Sequence, residues 1–294
     1  MPTISANGVQ LHYEERGNPE GSPILLIMGL GTQMIAWPDA FVAALAAAGH
    51  RVILYDNRDI GLSTHLHDAP VTNPLLAFAA RRIGLPFRHG YALNDMAADA
   101  VALLDALGIP AAHVVGASMG GMIAQILAAS HPSRVLSLTA IMSSSGAPGL
   151  PGPTSELRRR MIARRDPNPS REQAIALGAA TLALISFPDP ARAPDAFHTM
   201  AGRAFDRAYN PQGGRRHLLA VIADGSRAGR LATIAAPTLV IHGAADPLVP
   251  LANGADIARR VPGARLEVIE QMGHDLPPSQ LDRIAALIVE HVRG

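Results

Sequence analysis

Ser118 stands at the centre of Gly116-Ala117-Ser118-Met119-Gly120, between an apolar stretch that reads as a strand, residues 113–116, and one that reads as a helix, residues 119–129. Strand, sharp turn and helix make a nucleophile elbow. The turn forces the serine into a strained backbone conformation, and a side chain at Gly116 or Gly120 would collide as the helix packs back on the strand. The hydroxyl is thereby held up and exposed, a nucleophile that needs a base and a group to orient that base.

In such an elbow the chain order is serine, carboxylate, histidine. Of the twelve histidines, six follow Ser118: His131, at the end of the elbow helix itself, and His198, His217, His242, His274 and His291. His242 ends a strand-like run, His198 and His217 lie in a helical insertion, and His291 lies in a terminal helix. His274 remains, in the loop Gln271-Met272-Gly273-His274 that directly follows a strand, with Gly273 expected to let the loop turn tightly. For the carboxylate, Gly243-Ala244-Ala245-Asp246-Pro247 offers Asp246, which would accept the imidazole Nδ1 proton and stabilise the imidazolium; its other reading is an Asp-Pro turn ahead of a helix. One strand earlier the chain reads Met142-Ser143-Ser144-Ser145 and has no acid, while Asp275, beside the histidine, is an awkwardly placed alternative. An oxyanion needs two donors. The Met119 N–H is the first, and the Leu30 N–H, in the loop Met28-Gly29-Leu30-Gly31, is the second; Gly29 lets the backbone come close to a ligand.

The elements that must position these groups alternate. Residues 3–6 and 9–15 flank Asn7-Gly8, a hairpin signal, since both turn residues tolerate positive φ. Strand candidates at 23–28, 51–55, 112–116, 135–142, 237–242 and 265–270 are mostly continuous apolar runs, as expected of strands buried on both faces, hence a mostly parallel sheet. Helical stretches at 39–48, 94–107, 119–129, 251–261 and 280–292 supply the crossovers. The fold class is α/β, an open sheet flanked by helices. From 145 to 230 the alternation stops, and prolines separate short helix-like pieces. This segment is expected to form a helical cap over the carboxyl ends of the strands, on a core of residues 1–144 and 231–294.

Composition narrows the function classes. The chain has 294 residues, 25 Lys+Arg against 24 Asp+Glu, and no cysteine. A net charge of +1 offers no field for nucleic acid or anionic lipid, and without thiols there is no disulfide or thiolate chemistry. No apolar run nears the ~20 residues that span a bilayer, and residues 1–7 lack a targeting pattern, so a cytoplasmic location is expected. The segment from Asp56 to Ser63 holds two aspartates and an arginine but reads as a structural turn with Arg58 paired to a carboxylate, not as a metal or phosphate site. Trp37, the single tryptophan, either lines a pocket or anchors a helix start. In the insertion, Leu157, Met161, Ile162, Phe187 and Phe197 are among apolar residues that pack the cap or line an apolar pocket, and Arg158, Arg159, Arg160, Arg164 and Arg165 read as a solvated face.

Met28-Gly29, Trp37-Pro38-Asp39, the run from Tyr55 to Thr64, the elbow, Asp246-Pro247 and Met272-Gly273-His274-Asp275-Leu276-Pro277 together resemble a serine esterase of the α/β-hydrolase superfamily, in detail the aclacinomycin methylesterase group. Met28-Gly29 replaces the His-Gly usual in the superfamily, a departure that group shares. The resemblance, weakest in the insertion, implies a carboxylic ester hydrolase that needs no cofactor and no metal; the apolar residues of the insertion point to a small-molecule ester with apolar groups, and Gly29, Trp37, Phe187 and Phe197 are the candidate substrate contacts. The same triad also serves carbon–carbon bond hydrolases and cofactor-free perhydrolases, and a ligand receptor on a hydrolase fold is the reading from a different class. Dehalogenases and epoxide hydrolases are disfavoured because they carry aspartate at the nucleophile position. The oligomeric state is not written in these residues.

Overall fold

The computed structural model describes residues 2–162 and 169–294. Eight strands, β1 (Thr3–Ala6), β2 (Val9–Gly17), β3 (Pro23–Ile27), β4 (Arg51–Tyr55), β5 (Ala112–Ala117), β6 (Val135–Ile141), β7 (Thr238–Gly243) and β8 (Arg265–Ile269), form one sheet in the order β1-β2-β4-β3-β5-β6-β7-β8. β1 and β2 pair antiparallel across Asn7-Gly8, whose φ values of 47° and 79° are those a tight hairpin turn demands, and β2 runs antiparallel to β4. The other neighbours are parallel. All six residues of β5 are buried, which is why it reads as a continuous apolar run.

Side chains of one strand alternate between two cores. Leu25, Ile27 and Val114 join a cluster with Leu103, Leu104, Ile123 and Leu127, whereas Ile24, Leu26 and Val115 join one with Phe41, Leu45, Ile284 and Ile288. Helices α3 (Leu93–Ala106) and α4 (Met119–Ser130) therefore cover one face, and α1 (Asp39–Ala47) and α11 (Leu281–Arg293) the other. Helix α2 (Pro74–Arg82) was absent from the expected elements. Its start is signalled by Asn73, which accepts the Leu75 N–H at 2.9 Å, with Pro74 at the first helical position. Leu75, Leu76 and Phe78 are more than half exposed and only Ala77 is buried, so its larger apolar side chains face away from the core.

Between β6 and β7 the described residues hold no strand but five helices: α5 (Ser155–Ile162), α6 (Arg171–Ile185), α7 (Ala196–Arg207), α8 (Pro211–Asp224) and α9 (Ala228–Leu231). Leu219, Ala220 and Leu231 are buried in the core cluster, so α8 and α9 pack into the body of the fold. Helix α10 (Ala252–Arg260) completes the chain's crossovers.

Two buried histidines are expected to make this fold sensitive to acid. His113 on β5 sits between Ser137 Oγ, 2.8 Å from Nδ1, and Ser22 Oγ, 3.1 Å from Nε2. Burial first, then the nearby His50 and His291, pushes its pKa down to about 4. Burial likewise takes His217 on α8 to about 4. Below the ordinary histidine value near 6.5 the unfolded chain binds protons that the folded chain refuses, so this stability is present above that value and is lost as pH falls toward 4. Urea unfolding at pH 7 and pH 5 is expected to show a loss on the order of 2 kcal/mol from each histidine, and His113→Gln should shrink the difference. A stability unchanged between the two pH values would contradict this.

Candidate active site

Ser118 ends β5 and opens α4 with φ 55° and ψ −116°, the strained conformation expected of the elbow. The close approach that forces glycine is visible on both sides. A Cβ on Gly116 would lie 2.3 Å from the Gly120 carbonyl oxygen, and one on Gly120 would lie 2.0 Å from that of Ile27. Ser118 is half-buried, and its Oγ lies 2.9 Å from His274 Nε2. The other ring nitrogen, Nδ1, donates to Asp246 Oδ2 at 2.7 Å. These bonds bridge 156 and 28 residues of sequence.

Asp246 fills both roles considered for it. Its Oδ1 accepts the N–H groups of Leu248 and Val249 at 2.9 and 2.8 Å, an Asp-started turn, while Oδ2 faces the imidazole. His242 stands 3.6 Å from the same carboxylate oxygen but is no rival base: burial lowers its pKa, and its Nε2 donates to the Val249 carbonyl at 2.7 Å.

Asp275 is turned to another task. Its Oδ1 accepts the Phe187 and Gly273 N–H groups at 3.2 Å each, and its Oδ2 pairs with Arg192, whose guanidinium lies 4.6 Å over the Phe197 ring. Burial pushes the Asp275 carboxyl up from its ordinary range. The His274 N–H also donates to the Ile185 carbonyl at 2.7 Å. Helix α6 thus ends against the histidine loop. Gly273 has no positive φ; it is needed because a Cβ there would lie 2.6 Å from the Ile185 carbonyl oxygen and 2.7 Å from the Phe187 nitrogen.

The loop carrying Leu30 lies beside the elbow, since a Cβ on Gly29 would sit 3.3 Å from Ser118 Cβ. Neither the Leu30 nor the Met119 N–H has a protein acceptor among the described residues, whereas the Gly31 N–H donates to His217 Nδ1 at 3.1 Å. Trp37 does not open toward this site. It is 2% exposed and stacks on Phe41 at 5.4 Å in the core, which favours the anchoring reading. Phe187 and Phe197 line a cleft of about 640 Å³ with Pro188, Pro190, Arg192 and Pro194, beside the histidine loop but not lined by Ser118 or His274. Arg158 and Arg159 are exposed; the Arg160, Met161 and Ile162 side chains, Arg164 and Arg165 lie outside the described residues.

The turn after β4 is built of ion pairs. Arg58 Nε donates to Asp99 Oδ2 at 2.6 Å, Asp56 faces Arg207 at 2.7 Å, and Arg216 grips Asp59 with Nε and Nη2 at 2.8 and 2.7 Å. Both aspartates are thereby held by arginines of α7 and α8. Among the described residues no group of three or more side chains could hold a metal, and no helix is long and apolar enough to cross a membrane.

The sequence profile of the alpha/beta hydrolase fold matches residues 22–278. Over its full length the chain is 33% identical to a rhodomycin D methylesterase of a Streptomyces species, covering 99% of that protein. It is 32% identical to the rhodomycin D methylesterase of Streptomyces peucetius, covering 100% of this chain and 99% of the relative. The solved enol-lactonase of Burkholderia xenovorans superposes with a TM-score of 0.77 at 25% identity, covering 100% of both chains. With a matching profile across most of its residues and methylesterases as relatives from end to end, the chain belongs to the alpha/beta hydrolase fold family, as one of its ester hydrolases.

Proposed function

We propose that this enzyme hydrolyses a carboxylic ester through an acyl-enzyme on Ser118. The observation that carries this reading is the single chain of hydrogen bonds from Ser118 through His274 to Asp246, on a serine held at positive φ. His274 Nε2 takes the hydroxyl proton as Oγ attacks the ester carbonyl, and Asp246 stabilises the imidazolium that results. The Leu30 and Met119 N–H groups hold the oxyanion. His274 then protonates the departing alcohol, a water replaces it, and the same base activates that water to release the acid. Every proton moves between substrate, water and this chain, so no cofactor enters.

The full-length likeness to methylesterases favours a methyl ester of a larger acid over a carbon–carbon substrate, on which the same triad could also act. Residues 145–230 supply the cap, with α8 and α9 also packing into the core of 1–144 and 231–294, and the Phe187 and Phe197 cleft receives part of the acid. The test is a panel of methyl esters graded in the size of the acid. Each methylene buried in an apolar site gains about 0.8 kcal/mol, close to fourfold in kcat/KM, until the acid outgrows the space. Rates are expected to climb and then fall, and Phe187→Ala or Phe197→Ala should move the maximum toward bulkier acids. Absence of methyl ester turnover would overturn the reading; an unmoved maximum would take the cleft out of the substrate path.

A further inference from the structure

We propose that His217 is a positioning residue for the oxyanion loop, reaching from α8 to hold the backbone that presents the Leu30 N–H. This rests on the reading of the site given above. The imidazole is fully buried and both nitrogens are engaged: Nδ1 faces the Gly31 N–H at 3.1 Å and Nε2 faces the Arg58 carbonyl at 2.8 Å. An amide N–H only donates and a carbonyl only accepts, so the ring has one permitted state, neutral with its proton on Nε2. Burial favours that state as well.

Gly31 N belongs to the peptide that directly follows Leu30, and the Gly29 carbonyl accepts the Thr32 N–H at 3.3 Å. The peptides on either side of Leu30 are therefore tied, the first by the loop itself and the second by His217 together with Thr32 Oγ1, which donates to the Leu30 carbonyl at 3.1 Å. The loop approaches α8 closely, since a Cβ on Gly31 would lie 3.4 Å from Gly214 Cα. The helix cannot drift away, because Arg216 is clamped on Asp59 and Asn210 Nδ2 donates to the Asp59 carbonyl at 2.9 Å. The edge of the Tyr91 ring pair closes the remaining side at 6.3 Å between centroids. Without the imidazole, the part-buried Gly31 N–H loses its protein acceptor, and its peptide keeps only the tie from Thr32 Oγ1 to the Leu30 carbonyl at 3.1 Å, so it turns more readily. Rotation there carries the Leu30 amide off the oxyanion while leaving Ser118, His274 and Asp246 in place.

The experiment compares His217→Phe, which keeps a flat ring but neither hydrogen bond, with His217→Gln, which retains one acceptor and one donor. Three quantities are read: kcat and KM on an activated ester, the inhibition constant of an alkyl boronic acid, whose adduct on Ser118 places an anionic oxygen in the hole, and that of the product carboxylic acid. His217→Phe is expected to lower kcat and weaken the boronate in parallel by on the order of 10- to 100-fold, somewhat less than outright loss of an oxyanion donor. KM and the product acid should move by less than about threefold, and glutamine should restore most of the loss. A phenylalanine variant that binds boronate like wild type, or that loses boronate and product acid equally, overturns the proposal. Should that variant not fold, amide exchange at Gly31 in the native enzyme decides: protection marks a held peptide, and exchange at the rate of an open loop overturns it. A wild-type enzyme that neither turns over esters nor binds the boronate would instead refute the reading of the site itself.

Discussion

Replacing Ser118 with alanine is expected to lower kcat by on the order of 10⁴ or more, as loss of a triad nucleophile does when the rest of the site is intact. At 1.36 kcal/mol per decade this corresponds to about 5 kcal/mol of transition-state stabilisation. The fold should survive, because the side chain lost is small and its Oγ is engaged only with His274 Nε2. The positive φ of 55° persists in the variant, held by the β5 to α4 turn. The check is turnover of an activated ester by purified variant and wild type, with circular dichroism confirming the fold. A variant within about tenfold of wild type would mean that the hydroxyl facing His274 is not the nucleophile.

Asp59→Asn is expected to cost about 3–5 kcal/mol of stability, because it leaves the Arg216 charge buried without its partner. The pair is dry, with side-chain exposures of 2% for Arg216 and 0% for Asp59. Burial alone would raise the Asp59 carboxyl, yet the Arg216 bonds and the Leu66 N–H hold it below its ordinary value, which shows how strongly the charged form is anchored. Asparagine tests the charge and little else: it has nearly the same shape and tolerates the φ of 69° that Asp59 adopts. One face of its amide would turn N–H groups toward the guanidinium. Urea unfolding at neutral pH measures the cost, and a change under about 1 kcal/mol would contradict the assignment. The Asp59→Asn, Arg216→Leu double variant should regain part of the loss, since no charge is then left stranded.

The site was legible along the chain wherever local chemistry forces a local shape. Gly116, Ser118 and Gly120 declare a turn that only small residues permit; Asn7-Gly8 declares a hairpin; and the apolar runs that became β3 to β7 declare strands covered on both faces, while β8, at the sheet edge, is only half-buried. Chain order then left Asp246 and His274 as partners, and the structure brings both to Ser118. Helix α2 escaped although Asn73-Pro74 signals its start; its larger apolar residues face outward and not into the core. Trp37 stayed ambiguous because an aromatic residue before Pro38 looks the same in a core as in a pocket; its stacking on Phe41 favours the anchoring reading.

What the sequence by itself determined, then, was the sheet, the elbow and the three groups that could form a triad, since each follows from backbone sterics or from burial periodicity within a few residues. Only the tertiary structure decided who holds those groups in place. Asp275, beside His274 in sequence, turned to Arg192 and the end of α6, while His217, set aside as an insertion residue, took the Gly31 amide 186 positions away. Such pairings are settled by desolvation. Once the chain has folded, each buried donor and charge must find a partner, and the partner it finds depends on distance in space, which spacing along the chain does not encode.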